Sequence, residues 1–477
     1  MKRIVILLLA VVIALSGILG TSLAVGASQD QVTHEVQVLH GDPAAAQGLE
    51  ISLRYGFDHN YLQWYTDCCY GREMTSQTEF DCHVFAPNFS QSTPDYWGVH
   101  MEVVGNYMGM DNLEDIFRME IENGNTGAFP GILGAYQKLY NETPEGELTN
   151  TYIRIADHCE YYPLTGIIDL PTGGYYWNIY SQSRYFWGGK ETAEAFNAYF
   201  KIPVLPDDQL QVVVDKRTGT VMESVEVTNW RKGEDWYDIS TVGVCHENTA
   251  YFTFNAITEK GNTVDTSLIP GGYGLYSFTF GENGKVDTAS LKTLRPLDPS
   301  FVPYEMKIDE NFGNLHYFTT KDNSIYLTVI DLDTMETLQE ICIQSADEKS
   351  WQYYRLQDDC IISVVEDNRI TIWQKNAAGL YEYRFTSALQ GENTAYNYYM
   401  AQFAFDGERL AVGNWIEGRY VVEENIFSSS PISGYSLEIY TEEGCVYSGH
   451  YTASLELKDN QWYDQRCRLH DITLTWN

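Results

Sequence analysis

The chain has 477 residues, and its 66 Asp and Glu against 30 Lys and Arg give a formal charge of −36 at pH 7. A surface this acidic repels phosphate backbones and anionic bilayers, which excludes nucleic acid and any charge-driven membrane contact as partners. The length exceeds what one compact core ordinarily serves, so a repeat architecture is the economical solution.

In chain order, the first element is a targeting segment. Lys2 and Arg3 supply positive charge, and an apolar run extends from Ile4 to Ala14. Ser16, Gly17, Gly20, Thr21 and Ser22 then dilute the hydrophobicity ahead of two small-residue patterns, Ser22-Leu23-Ala24 and Val25-Gly26-Ala27. No acidic residue precedes Asp30. That order predicts a secretory signal over residues 1–27, and hence an extracellular or envelope-associated protein. An uncleaved anchor is the alternative, since Ile4–Ala27 exceeds the roughly 20 apolar residues that a bilayer requires. No cysteine lies near the end of the apolar run, so a lipid anchor is not expected. No later stretch is apolar over a spanning length, so a membrane is a partner only through this segment.

Residues 28–47 read as a short linker and 48–477 as the folded body, irregular over 70–150. From Gly48 onward, short runs rich in Val, Ile, Thr, Tyr and Phe alternate with Gly, Asp and Asn turns, the pattern of antiparallel hairpins. Five hairpins are predicted over Leu210–Val227, Tyr276–Leu294, Ile325–Ile343, Ile370–Ser387 and Leu437–Ala453. Their turns fall at Thr218-Gly219, Asn283-Gly284, Asp333-Thr334, Gly379 and Glu443-Gly444. The last four are each preceded by another strand pair: Thr241–Val244 with Ala250–Asn255, Met306–Ile308 with Leu315–Thr319, Tyr353–Leu356 with Ile361–Val365, and Ala401–Phe405 with Leu410–Gly413. Helices are expected where Leu113, Ile116 and Phe117 share a face, where Leu133, Tyr136, Leu139 and Tyr140 do, and over Thr192–Phe200.

The unit is therefore four strands repeated every forty to sixty residues or so, the period of propeller blades. The segment IYLTVIDLDTMETLQEI resembles an outer blade hairpin of the β-propeller superfamily in its quinoprotein-like and tryptophan–aspartate-repeat forms. The resemblance runs from about Thr151 to the C-terminus. The tryptophan–aspartate dipeptide and its Gly-His companion are absent, so it implies a fold and no activity. The expected fold is an all-β propeller of six or seven four-stranded blades with short helical insertions, as a monomer. The C-terminal strand Asp471–Trp476 and the N-terminal pair Leu49–Tyr65 lack other partners, and joining them in one blade removes the open edge.

Three long insertions, Pro171–Asp208, Thr258–Gly272 and Ile416–Gly434, are each expected between the second and third strands of a blade, hence on one face. The first is aromatic, and Tyr176, Trp177, Tyr180, Tyr185 and Trp187 are its candidate ligand-binding residues. Trp230, Arg231 and Trp236 in a neighbouring loop join them. Flat rings with polar edges suit peptides or sugars, so the expected function is binding of a protein or carbohydrate ligand at this face. A polysaccharide-acting hydrolase or lyase is the alternative, and a purely structural envelope module a third reading. Asp58, Asp157, Glu247, Asp309, Asp358, Asp359 and Asp406 recur at first-to-second-strand turns, where Asp caps local backbone N–H groups. A hydrolase would instead need two such carboxylates to converge.

No cofactor is implied by a motif. Ca²⁺ is the cation that a carboxylate surplus would suit, although Asp331-x-Asp333 lacks the glycine and closing Glu of an EF-hand loop. Nine cysteines permit disulfides in an exported chain, with at least one thiol left over. Cys68, Cys69 and Cys82 are the closest in sequence. Cys and His adjoin at Cys82-His83, His158-Cys159 and Cys245-His246, without the spacing of a zinc site.

Overall fold

The computed structural model describes residues 6, 9–20, 34–59, 62–70, 76–81, 99–103, 130–162, 164–169, 184–186, 189–217, 237, 239–258, 261–281, 286–345, 352–357, 359–365, 369–389, 401–416, 434–453 and 468–477. Residues 9–20 are helical. Among the described residues, no helix is long and apolar enough to cross a membrane. Internal contacts divide the chain into two units, one of Met1–Gln91 with Ala346–Asn477 and one of Ser92–Ser345.

The first unit contains three antiparallel sheets. Strands β18 (Gln352–Leu356), β19 (Cys360–Val365), β20 (Arg369–Lys375) and β21 (Tyr381–Ala388) form one four-stranded meander in sequence order. A second is β22 (Gln402–Phe405), β23 (Leu410–Ile416), β24 (Gly434–Thr441) and β25 (Gly444–Ala453), with β1 (His34–Gly41) added outside β25. Residues 34–41 therefore form a strand inside the segment read as a linker. The third sheet, β26-β2-β3-β4, joins the chain's two ends. Here β2 (Leu49–His59) pairs with β26 (Arg468–Trp476) on one side and with β3 (Leu62–Tyr70) on the other, and β4 (Ser76–Asp81) follows β3.

These sheets stack with their central strands buried on both faces. Every residue of β19 is buried, and so is every residue of β24 except Thr441. Ile362, Val364, Ile370 and Ile372 share a core with Phe403, Leu410, Val412 and Tyr440 of the next sheet. That sheet's other face packs Leu437, Ile439 and Tyr447 with Leu49, Ile51, Leu53, Ile472 and Leu474 of the terminal sheet. Each such aliphatic side chain contributes about 1.5–3 kcal/mol when withdrawn from water. Gly413 lets the sheets approach, since a Cβ there would sit 3.2 Å from Leu474 and 3.3 Å from Ile472.

The second unit repeats the motif. Strands β10 (Thr241–His246), β11 (Thr249–Phe254), β12 (Gly274–Phe280) and β13 (Val286–Pro296) form one meander. Strands β14 (Val302–Asp309), β15 (Asn314–Lys321), β16 (Ser324–Asp331) and β17 (Thr337–Ser345) form the next. Leu275 meets Met306, Leu315, Tyr317 and Ile330 between them. Successive four-stranded meanders stacked face to face are the blades of a β-propeller. Among the described residues, five sheets have four or five strands.

Smaller sheets precede them. Strands β5 (Val99–Val103), β7 (Leu164–Asp169) and β8 (Arg184–Phe186) form one, and β6 (Leu148–Arg154) pairs with β9 (Gln209–Asp215) in another. This corrects the placing of Pro171–Asp208 inside one blade. The segment leaves β7 of one sheet, supplies β8 and a helix, and enters β9 of another. The predicted hairpin over Leu210–Val227 keeps its first strand as β9, while residues 218–227 lie outside the described residues. Two of the three expected helices are α1 (Pro130–Glu142) and α2 (Gly189–Phe200), and the expected helix around Leu113 lies outside the described residues.

Candidate functional site

The insertion between β11 and β12 is the one that the structure describes most fully. Thr258 and Gly261 open a tight turn, with the Gly261 N–H donating to the Thr258 carbonyl at 2.8 Å. The Val264 N–H donates to the Ala256 carbonyl, and Val264 and Ile269 are buried beneath the loop. Asp265 accepts hydrogen bonds from the N–H and hydroxyl of Ser267, which hold its carboxyl below the usual range. The loop is thus a folded object with its own packing, of the kind that presents a fixed surface.

Its return to β12 is pinned by tyrosines. The Tyr276 hydroxyl donates to the Gly272 carbonyl at 3.1 Å and accepts from the Gly274 N–H at 3.1 Å. The Tyr273 hydroxyl donates to the Phe254 carbonyl at 2.7 Å. Gly271 and Gly272 adopt φ of +82° and +77°, which a side chain rarely allows. Gly274 is required for a different reason, because a Cβ would lie 2.2 Å from the Arg295 carbonyl on β13.

Helix α2, from the first insertion, packs against the same sheet. Phe196 and Phe200 are fully buried among Phe252, Phe254, Tyr276 and Phe278, mostly in edge-on pairs. The next residue on that face, Tyr199, reaches the loop. Its hydroxyl donates to the Pro270 carbonyl at 3.1 Å and lies 2.8 Å from the Thr293 Oγ1. Thr293 itself donates to Pro270 at 2.6 Å. Two insertions separated in sequence are therefore fastened together at Pro270.

The buried phenols serve as hydrogen-bond donors. Burial pushes Tyr273 up to about 12 and raises Tyr276 and Tyr317 as well, so all three stay protonated at physiological pH. Among the described residues, no group of three His, Cys, Asp or Glu is placed to hold a metal.

Of the residues expected from sequence to bind ligand, Tyr185 falls in β8, opposite Ile168. Tyr176, Trp177, Tyr180, Trp187, Trp230, Arg231 and Trp236 lie outside the described residues. Tyr199, Pro270, Tyr273 and Thr293 were not singled out. Pro270-Gly271-Gly272 is a turn signal in the sequence, whereas Tyr199 lies inside the expected helix Thr192–Phe200 with no local mark of its partner.

One of the turn carboxylates acts as a local cap. Asp406 accepts from the N–H groups of Glu408 and Arg409 and from the Arg409 guanidinium. Glu247 occupies a left-handed turn position, φ +50°. Asp309 is buried with its carboxylate 3.9 Å from the His316 Nε2. The side chain of Asp58, and all of Asp358, lie outside the described residues. Cys159, Cys342, Cys360 and Cys445 carry thiols rather than disulfides.

No family model matches the chain, and no curated protein does. Among solved structures it is similar to the Cps50 (Swd1) β-propeller domain of Myceliophteria thermophila, at 11% identity and TM-score 0.23, over 52% of this chain and 80% of that one. It is also similar to the Dos1 propeller, at 8% identity and TM-score 0.23, over 52% and 63%. A third is an exo-β-1,3-galactanase of Phanerochaete chrysosporium, at 6% identity and TM-score 0.21, over 48% and 62%.

Proposed function

We propose that this protein is an exported β-propeller that binds a partner protein through the loops at the insertion-bearing end of the β10–β13 sheet. One observation carries the reading: the Thr258–Gly272 loop and helix α2 are locked to each other and to the sheet by Tyr199, Thr293 and Pro270. A rigid loop loses little conformational freedom on binding, so its exposed side chains are spent on the partner rather than on ordering the loop. Leu268 is such a side chain, 43% exposed at the loop tip. The aromatics Tyr176, Trp177, Tyr180, Tyr185 and Trp187, which precede α2 in the same insertion, would extend this surface, with Trp230, Arg231 and Trp236 as further candidates. Residues 1–27 would direct export.

The test is cross-linking capture of partners from the cell envelope by the secreted protein, compared with a Leu268→Asp variant and a Trp177→Ala/Tyr185→Ala/Trp187→Ala variant. Loss of the same captured protein in both variants, with unchanged thermal stability, is the expected result. Capture that is unaffected by either would refute the choice of surface. Retention of the N-terminal residues in the exported product would refute cleavage.

A further inference from the structure

We infer that β1 is a displaceable strand, pivoting at Gly41, that occupies a strand-addition site on the edge of β25. The strand pairs antiparallel with β25 from His34↔Ala453 to Gly41↔Tyr447, with an irregularity between Val38 and His40. Every described side chain from Glu35 to His40 is exposed. Val36, Val38 and Leu39 retain 52%, 48% and 50% of their surface, on both faces of the strand. Other outer strands differ: β21 buries Tyr381 and Phe385, and β13 buries Val286 and Leu291. β1 is thus held by its backbone ladder and by the His40 imidazole against the Cys445 carbonyl at 3.1 Å, with no core burial.

The chain beyond Gly41 is fastened firmly. Asp42 caps the short helical turn Pro43–Ala46 by accepting from the Ala44 N–H. Ala45 and Ala46 pack on the apolar core, and the Arg409 guanidinium donates to the carbonyls of Ala45 and Gln47 at 2.9 and 3.0 Å. Gly41 marks the boundary. Its φ is +73°, and a Cβ there would lie 1.9 Å from the Val446 carbonyl, so only glycine makes this crossing. A ladder without burial on one side of a fixed pivot is a local opening unit, with a stability far below that of the sheet beneath it. Its departure bares the main-chain groups of β25, which accept an extended peptide by strand addition. The segment whose register already fits that edge is β1, so the occupant in trans is β1 of a second copy of this chain.

Two measurements on the full chain test this. Hydrogen exchange should show the bonded amides of β1 opening at least about 100-fold faster than those of β24, as expected for local rather than global opening. A biotinylated peptide of the sequence HEVQVLHG should be captured by a Gln37→Pro/Val38→Pro variant. One of two consecutive amides must face β25, and neither side chain is buried, so the blade survives the change. Wild-type protein should capture the peptide more weakly, because its own strand competes. Exchange of β1 no faster than that of β24 would overturn the inference, as would a folded proline variant that fails to capture the peptide.

Discussion

Replacing Phe200 with Ala tests whether α2 is integral to its sheet. Phe200 is fully buried, and its ring centroid lies 5.0 Å from Tyr276, 5.7 Å from Phe254 and 6.1 Å from Phe252, all edge-on. Truncating a buried Phe costs about 3–5 kcal/mol through lost transfer energy and the cavity left behind. Each edge-on aromatic pair adds about 0.5–1.5 kcal/mol beyond its buried area, which places this site toward the upper end. Phe200→Leu keeps most of the volume and loses the ring pairs, so its cost should be near 1.5 kcal/mol. Denaturant unfolding followed by fluorescence would measure both, with Glu442→Ala at the exposed turn between β24 and β25 as a control within about 0.5 kcal/mol of wild type. A Phe200→Ala cost below about 1 kcal/mol would refute the reasoning, since α2 would then be a decoration whose removal the sheet tolerates.

Gly274→Ala should destabilise by about 1–3 kcal/mol, because the new methyl meets the Arg295 backbone carbonyl rather than a movable side chain; thermal melting would measure it. Tyr199→Phe should cost only about 0.5–1.5 kcal/mol, since Thr293 still holds Pro270, yet raise the proteolytic nicking rate of the Thr258–Gly272 loop. At Asp406, burial raises the carboxyl, but hydrogen bonds from the Arg409 and Glu408 backbones and from the Arg409 side chain outweigh it and leave the pKa depressed. The folded form therefore holds its proton less tightly than the unfolded chain, and the stabilisation is present above the unfolded pKa. The melting-temperature difference between wild type and Asp406→Asn should be constant above about pH 5 and shrink as the pH falls below about 4. Thiol labelling of the native protein at pH 8 should modify exposed Cys342 ahead of buried Cys360. It should spare Cys445, which burial and the nearby Glu438 push up to about 11.

The repeat was legible because each blade carries its own local grammar. Alternation across Ile325–Ile343 and a left-handed Gly379 or Gly444 at the turn specify a hairpin without knowledge of the rest of the chain. Closure by the terminal strand was legible by elimination, since β26 had no neighbour in sequence. Other pairings that skip over intervening elements were not legible. β6 joins β9 across α2 and another sheet, and its partner depends on tertiary packing that periodicity does not encode. β1 escaped notice because a strand that buries nothing leaves no hydrophobic pattern of one face. At the site, the rings singled out in Pro171–Asp208 lie outside the described residues except Tyr185, whose backbone forms part of β8. The Tyr199–Pro270–Thr293 junction required knowing which two insertions meet.

The pairing of β2 with β26 also governs the order in which the molecule can be assembled. Asn477 donates to Glu50 at 2.9 Å across a sequence separation of 427. Closing so long a loop is thermodynamically mild, since each doubling of length adds only about 0.6 kcal/mol. It is kinetically late, because β2 must wait for a strand synthesised long after it. Until then the sheet stands with one edge of β2 unpaired, a row of free main-chain groups open to pairing with another chain.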